Sequence, residues 1–254
     1  MGILDGKVIL VAGAGGIGTG LATRYAAEGA RIVLGDINTA SAEAAVAAIK
    51  DAGGEALAIH LDGSDEASAT AAVATCVETY GGLDGLHANF AFLGDCDPGA
   101  GILELPLEIY DETQRINARG YYLCTRAALP AMIERGAGSI VYTSSAAANA
   151  STPAQVAYAM SKAAGQALMR HVATRYGQSG IRANTIAPAL TLHPGIAELV
   201  PQEMIGWAQA AAAIKSRVGN PEDIAAMGAL LLSDQGSYIT GQVISIDGGT
   251  TMRP

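Results

Sequence analysis

Charge is scarce in this chain: 15% of its 254 residues are Asp, Glu, Lys or Arg, against about 25% in an ordinary soluble domain. Aromatic residues are scarcer still, at 5%, with one tryptophan and two phenylalanines. Basic side chains are outnumbered, 15 to 24, and the resulting formal charge of -9 is spread along the chain without a tail. Nucleic acid and anionic membrane surfaces are recognised by basic stripes, so neither is an expected partner. The three cysteines, Cys76, Cys96 and Cys124, are odd in number and contain no C-x-x-C pair. That argues against a disulfide framework and against a zinc site, and it fits a reducing cytoplasm. No apolar run approaches the length of a membrane span, and Met1 to Lys7 is not a basic region leading into a long apolar one. A soluble, cytoplasmic protein with no metal is expected.

What is abundant is apolar residues, at 50%, and glycine, at 32 residues. Short β-branched and aliphatic runs alternate with Ala-rich stretches of helical period. This pattern predicts an α/β fold, a Rossmann-type doubly wound parallel sheet of seven strands with helices on both faces. The predicted strands are Val8–Val11, Arg31–Leu34, Ala56–His60, Gly85–Ala88, Gly138–Tyr142, Arg182–Ile186 and Val243–Ile246. The predicted helices are Ile17–Glu28, Ala40–Ala52, Glu66–Tyr80, Pro106–Glu134, Val156–Gln178 and Pro221–Leu232. No Pro/Ser linker divides the chain, so residues 1–254 are expected to form one domain. Two stretches break the alternation, Leu93–Leu105 and Ala189–Lys215, each beyond the carboxyl end of a strand, where open α/β sheets place ligands. The second, carrying Leu190, Leu192, Leu199, Met204, Ile205 and Trp207, is read as a substrate-covering segment; the alternative is a short helix packed on the core or a subunit surface.

After the first strand comes Gly13-Ala-Gly15-Gly-Ile17-Gly18, which fits G-x-G-x-x-G, with a helix following and Asp36 at the end of the second strand. Such glycines let the backbone turn tightly and approach a pyrophosphate, which then lies on the helix N-terminus. Asp36 can accept both hydroxyls of an adenosine ribose and repels a 2′-phosphate, while Ile37 and Gly15 offer it no cation. The expected cofactor is NAD rather than NADP.

Tyr158-Ala-Met-Ser-Lys162 is a Y-x-x-x-K, and Ser145 lies thirteen residues before it at the end of a strand. Together with Asp62-Gly63, Asn89, Asn117-Ala-Arg-Gly120, Asn184-Thr-Ile-Ala-Pro188 and Asp247-Gly-Gly249, these motifs make the chain resemble the short-chain dehydrogenase/reductase family along its whole length. The glycine loop departs from the family pattern by being one residue shorter, and Ala88, Phe90 and Ala91 surround the retained Asn89. The resemblance implies catalysis by Asn117, Ser145, Tyr158 and Lys162. It also implies a cofactor site formed by Gly13, Gly15, Ile17, Gly18, Asp36, Ile37, Asp62, Gly63, Asn89, Ala91, Tyr158, Lys162, Pro188 and Thr191. Tyr158 and Lys162 stand at i and i+4, hence on one helix face. A nearby ammonium, with the positive nicotinamide ring, favours the phenolate, so Tyr158 is expected to act as a base of lowered pKa. Lys162 is implied to bind the nicotinamide ribose, Ser145 to donate to the substrate oxygen, and Asn117 to hold a relay water.

The expected activity is hydride transfer between NAD and a secondary alcohol or ketone of a small to medium apolar molecule. Two alternatives carry the same fold: a 3-oxoacyl-(acyl-carrier-protein)-type reductase, disfavoured by Asp36 and the acidic charge, and a non-catalytic NAD-binding sensor. A homotetramer is implied by the family, and the low charge content suits buried subunit surfaces. His60, His87 and His171 are read as structural or exposed, and His193 as the one histidine placed to touch substrate. Phe90 and Phe92 border the expected nicotinamide site, with pocket shaping and plain core packing both open.

Overall fold

The computed structural model describes residues 2–94, 99–150 and 154–252. Cys96 and part of the Leu93–Leu105 stretch lie outside them. The strands β1 (Val8–Ala12), β2 (Arg31–Asp36), β3 (Glu55–His60), β4 (Gly85–Ala88), β5 (Gly138–Thr143), β6 (Ile181–Pro188) and β7 (Val243–Ile246) form one parallel sheet. Its order is β3-β2-β1-β4-β5-β6-β7. The direction of winding reverses between β1 and β4, and the crevice outside their carboxyl ends is where ligands of such sheets bind.

Both faces of the sheet are covered, and period-two alternation explains how β1 serves two cores. Val8, Leu10 and Ala12 point to one face, against Cys76 of α3 (Glu66–Tyr80), Tyr121 of α5 (Gly120–Arg135) and Met169 of α6 (Val156–Tyr176). Ile9 and Val11 point to the other, against Leu21 of α1 (Gly16–Ala27), Ile49 of α2 (Thr39–Asp51) and Ala225 of α8 (Pro221–Leu232). Every residue of β1 is buried, as continuous apolar strands in such sheets must be.

The single helix expected over Pro106–Glu134 is present from Leu107 to Arg135 but contains a change of winding. It comprises α4 (Leu107–Thr113), a wider π-helical turn over Gln114–Arg119, and then α5. The physical cause sits at Asn117, which is wholly buried. Its Nδ2 donates to the carbonyl of Phe92 at 2.9 Å, and its Oδ1 accepts the Phe92 amide at 2.7 Å. A π turn carries one extra residue, and here it faces a polar side chain inward where an unbroken helix would keep its apolar stripe. In the Ala189–Lys215 stretch the chain forms α7 (Gln202–Ala211), none of whose residues is buried. Leu199, Met204 and Trp207 are exposed there, so this helix is not packed into the core.

The Phe90 ring is seated between two glycines. A Cβ on Gly63 would lie 2.9 Å from the ring, and one on Gly120 would lie 2.6 Å from it. Gly-to-Ala in a helix ordinarily stabilises by about 1 kcal/mol, but here the added methyl meets an aromatic ring. Gly120→Ala is therefore expected to destabilise the fold by about 1–3 kcal/mol in urea unfolding. Adding Phe90→Ala to that variant should cost less than it does in the wild type; strict additivity would contradict the wedge.

Candidate active site

The glycine loop turns at Gly13, whose φ of +108° favours glycine. A Cβ on Gly18 would stand 1.7 Å from the Gly13 carbonyl oxygen, so the first turn of α1 can close on the loop only without a side chain there. The N-terminus of α1 has no side-chain cap and no acidic residue in its first turn. Its amide groups therefore present an uncompensated positive end to the crevice. Asp36 completes this cradle, with one carboxylate oxygen accepting the Ala14 amide at 2.6 Å and the other the Asn38 amide at 2.8 Å. Each oxygen keeps a lone pair for a further donor.

A cavity of about 420 Å³ opens over this loop. Of the residues expected at the cofactor, Gly13, Gly15, Ile17, Asp36, Ile37, Asp62, Gly63, Asn89 and Ala91 line it. Gly18 lies beneath, at the loop's turn. Pro188 ends β6, and Thr191 is buried beyond it, bridging to Gly219. Phe90, Phe92, Ser64, Arg115 and His193 also line the cavity. Of these, sequence reasoning gave only the two phenylalanines a place beside the cofactor, and it read His193 as the histidine to touch substrate. The His193 ring lies on Gly16.

Beneath the cavity runs a buried chain of hydrogen bonds with one consistent direction. The Tyr25 hydroxyl lies 2.7 Å from His87 Nδ1, and His87 Nε2 lies 2.9 Å from Thr143 Oγ1. Thr143 donates to Asn89 Oδ1 at 2.9 Å, and Asn89 Nδ2 reaches the Gly13 carbonyl at 3.4 Å. Because Thr143 spends its proton on Asn89, His87 must donate from Nε2 and accept from Tyr25 at Nδ1. Burial drives the His87 pKa down to about 3, which keeps the ring neutral and the chain intact. This chain ties Asn89 and the glycine loop to the sheet.

Ser145 follows β5 in extended backbone, and its Oγ accepts the Ala147 amide at 3.1 Å. The Tyr158 phenol lies on the facing α6, near enough for the Ser145 side chain to act on its ionisation. One turn further along α6, Lys162 is buried with its Nζ 5.5 Å from the centre of the Tyr158 ring. The ammonium donates to the carbonyls of Thr143 at 2.9 Å and Phe90 at 3.3 Å, and to the Tyr121 hydroxyl. Tyr121, which sequence reasoning did not single out, donates in turn to Thr143. Asn117 joins the group through Ser161 Oγ at 3.0 Å, and Ser161 donates to the Tyr158 carbonyl at 2.7 Å. All four expected residues thus converge from the π turn, the end of β5 and one face of α6.

Burial raises the Tyr158 phenol above its ordinary value, with the Ser145 side chain pulling the other way. Burial also brings Lys162 down to about 7, because three protein oxygens replace water only in part. In the absence of the nicotinamide ring, whose positive charge the expectation also invokes, burial outweighs the Ser145 side chain and the phenol stays raised. Among the described residues no group of three His, Cys, Asp or Glu is gathered to hold a metal, and no helix is long and apolar enough to cross a membrane.

This arrangement agrees with comparisons to known proteins. A family model described as enoyl-(acyl carrier protein) reductase matches residues 11–251. A probable short-chain type dehydrogenase/reductase of Bradyrhizobium diazoefficiens is 41% identical over 250 residues, covering 98% of this chain and 89% of the relative. A 2,5-dichloro-2,5-cyclohexadiene-1,4-diol dehydrogenase of Sphingobium indicum is 38% identical over 97% of this chain and 96% of its own. Among solved structures, a 7α-hydroxysteroid dehydrogenase complexed with NADH and 7-oxo glycochenodeoxycholic acid superposes with a TM-score of 0.90 at 30% identity, over 97% of this chain and 94% of that one. Levodione reductase superposes with a TM-score of 0.88 at 32% identity, over 96% and 97%. The chain belongs to the short-chain dehydrogenase/reductase family of oxidoreductases, whose members bind a nicotinamide cofactor.

Proposed function

We propose that the protein is an NAD-dependent oxidoreductase that interconverts a secondary alcohol and its ketone on a small to medium apolar substrate. The observation that carries this reading is the convergence of Ser145 at the end of β5 with Tyr158 and, one helical turn away, Lys162, whose Nζ lies 5.5 Å from the Tyr158 ring centre. The cradle suits a dinucleotide: two glycines admit no Cβ, the N-terminus of α1 carries no acid, and Asp36 keeps lone pairs for ribose hydroxyls. Gly13, Gly15, Ile17, Gly18, Asp36, Ile37, Asp62, Gly63, Asn89 and Ala91 would hold its adenosine and pyrophosphate. Pro188, Thr191, Tyr158 and Lys162 would hold the nicotinamide end.

In the oxidative direction the Ser145 hydroxyl donates to the substrate oxygen, and the Tyr158 phenolate takes the hydroxyl proton at its Oη. A bound NAD would supply the hydride acceptor for the carbinol carbon. Lys162, while protonated, stabilises the phenolate, and Asn117 holds a water through which the proton reaches solvent. Donors aimed at an oxygen that gains negative charge are worth most in a site that excludes water. Residues 189–215 form the substrate-covering segment of a single catalytic domain, 1–254, and the exposed Leu199, Met204 and Trp207 supply its apolar face. The relatives named for cyclic diols, steroids and levodione support an alcohol on an apolar ring. A cytoplasmic homotetramer assembled through α5 and α6 is the favoured assembly.

The test is NADH absorbance with a panel of cyclic secondary alcohols and ketones. Turnover of at least one ring alcohol with NAD is the expected result. Tight NAD binding without turnover would favour a sensor, and activity confined to 3-oxoacyl thioesters with NADPH would favour the carrier-linked reductase.

A further inference from the structure

His193 is placed with unusual definition for a residue in a loop. The chain just before it is pinned by the Leu192 amide on the Gly219 carbonyl at 2.9 Å and by the Thr191–Gly219 bridge. Just after it, the amides of Ile196 and Ala197 close on the His193 carbonyl at 3.0 and 2.9 Å. The ring itself lies between two glycines. A Cβ on Gly16, the first residue of α1, would meet the imidazole at 2.0 Å, and one on Gly195 would meet it at 3.3 Å. Neither ring nitrogen has a hydrogen-bond partner among the described residues.

The charges around the cavity explain what such a ring could serve. Its acids are Asp36 and Asp62, and its other basic residue is Arg115. That guanidinium is already engaged, donating to both oxygens of Glu112 at 2.7 Å and to Ser64. Among the described residues lining the cavity, a dianionic group over the N-terminus of α1 therefore meets backbone amides, no free guanidinium or ammonium, and the His193 ring as a further donor.

We propose that His193 is a pyrophosphate ligand of the dinucleotide cavity, donating an imidazole N–H to a phosphate oxygen lying over Gly16. The proposal rests on the cofactor reading above and adds to it a residue on the far side of the chain from the glycine loop. Burial draws the His193 pKa below its ordinary value, so the ring offers a neutral N–H donor at physiological pH. A hydrogen bond to a charged acceptor is among the stronger ones available to a side chain.

The test is direct binding to the full chain, following NADH by its fluorescence and ADP and adenosine by calorimetry. His193→Ala is expected to raise Kd for NADH and ADP by about tenfold and to leave adenosine, which has no phosphate, unchanged. His193→Gln keeps an N–H donor of similar reach and should recover most of the loss; unchanged melting temperatures would show that both variants fold. Unchanged or tighter NADH binding in His193→Ala, or equal weakening for adenosine, overturns the proposal. Failure of the wild type to bind NADH or ADP at all would instead overturn the cofactor reading, and this proposal with it.

Discussion

Tyr158→Phe is expected to lower kcat for alcohol oxidation by roughly 10²- to 10⁴-fold, the usual contribution of a positioned acid–base group. The substitution removes one oxygen and keeps the ring over Lys162 and the packing of α6, so Kd for NADH should stay within about threefold of the wild type. What is lost is the hydroxyl that would carry the proton. The pH profile gives a second readout. Burial holds the phenol above its ordinary value, so wild-type oxidation should climb toward alkaline pH as the phenolate forms. Lys162 works against that climb, because it loses its charge above about 7 and with it its support for the phenolate. The variant should lack the alkaline rise. Initial rates across pH decide the matter, and a Phe variant retaining most of its activity would remove Tyr158 from the chemistry.

The alternation of apolar runs carried most of the architecture, because strand period and helical period differ enough to be told apart over a few residues. The bounds of β4, β7, α3 and α8 coincide with those read from the sequence, with α3, for example, set between Asp65 and Gly81. The change of winding at Asn117 was not legible. A π turn adds one residue without any local composition change, and its cause is a contact with Phe92, twenty-five positions away. The same limit hid the placement of His193. Its place in the covering segment, just before Pro194, suggests a substrate contact, and only the tertiary fold shows its ring on Gly16, far away in the chain. Tyr121 likewise reads as an apolar helix residue, and only the packing of α5 against α6 brings its hydroxyl to Lys162. In the sequence Gly63 and Gly120 stand out only as parts of family motifs, Gly63 also at the expected cofactor site. Their packing role is visible only when the Phe90 ring is seen between them.

Wild-type kcat/KM with NAD is expected to exceed that with NADP by between about tenfold and a thousandfold. Two unit charges about 4 Å apart repel by about 1 kcal/mol in a water-like medium and by about 4 kcal/mol at the effective dielectric of a protein surface. Asp36 is half-exposed at the end of β2, which places the repulsion of a 2′-phosphate between these limits. Nothing nearby offsets it, since the next residue, Ile37, is 67% exposed and apolar. Asp36→Ser separates the two roles of this carboxylate. Removing the charge should collapse the NAD/NADP ratio toward unity. Removing the acceptor of the Ala14 and Asn38 amides should also loosen the glycine loop and weaken both cofactors. A ratio near unity already in the wild type would mean that the carboxylate stays folded onto the loop amides when the cofactor binds. Asp36 would then shape the turn without selecting the ribose.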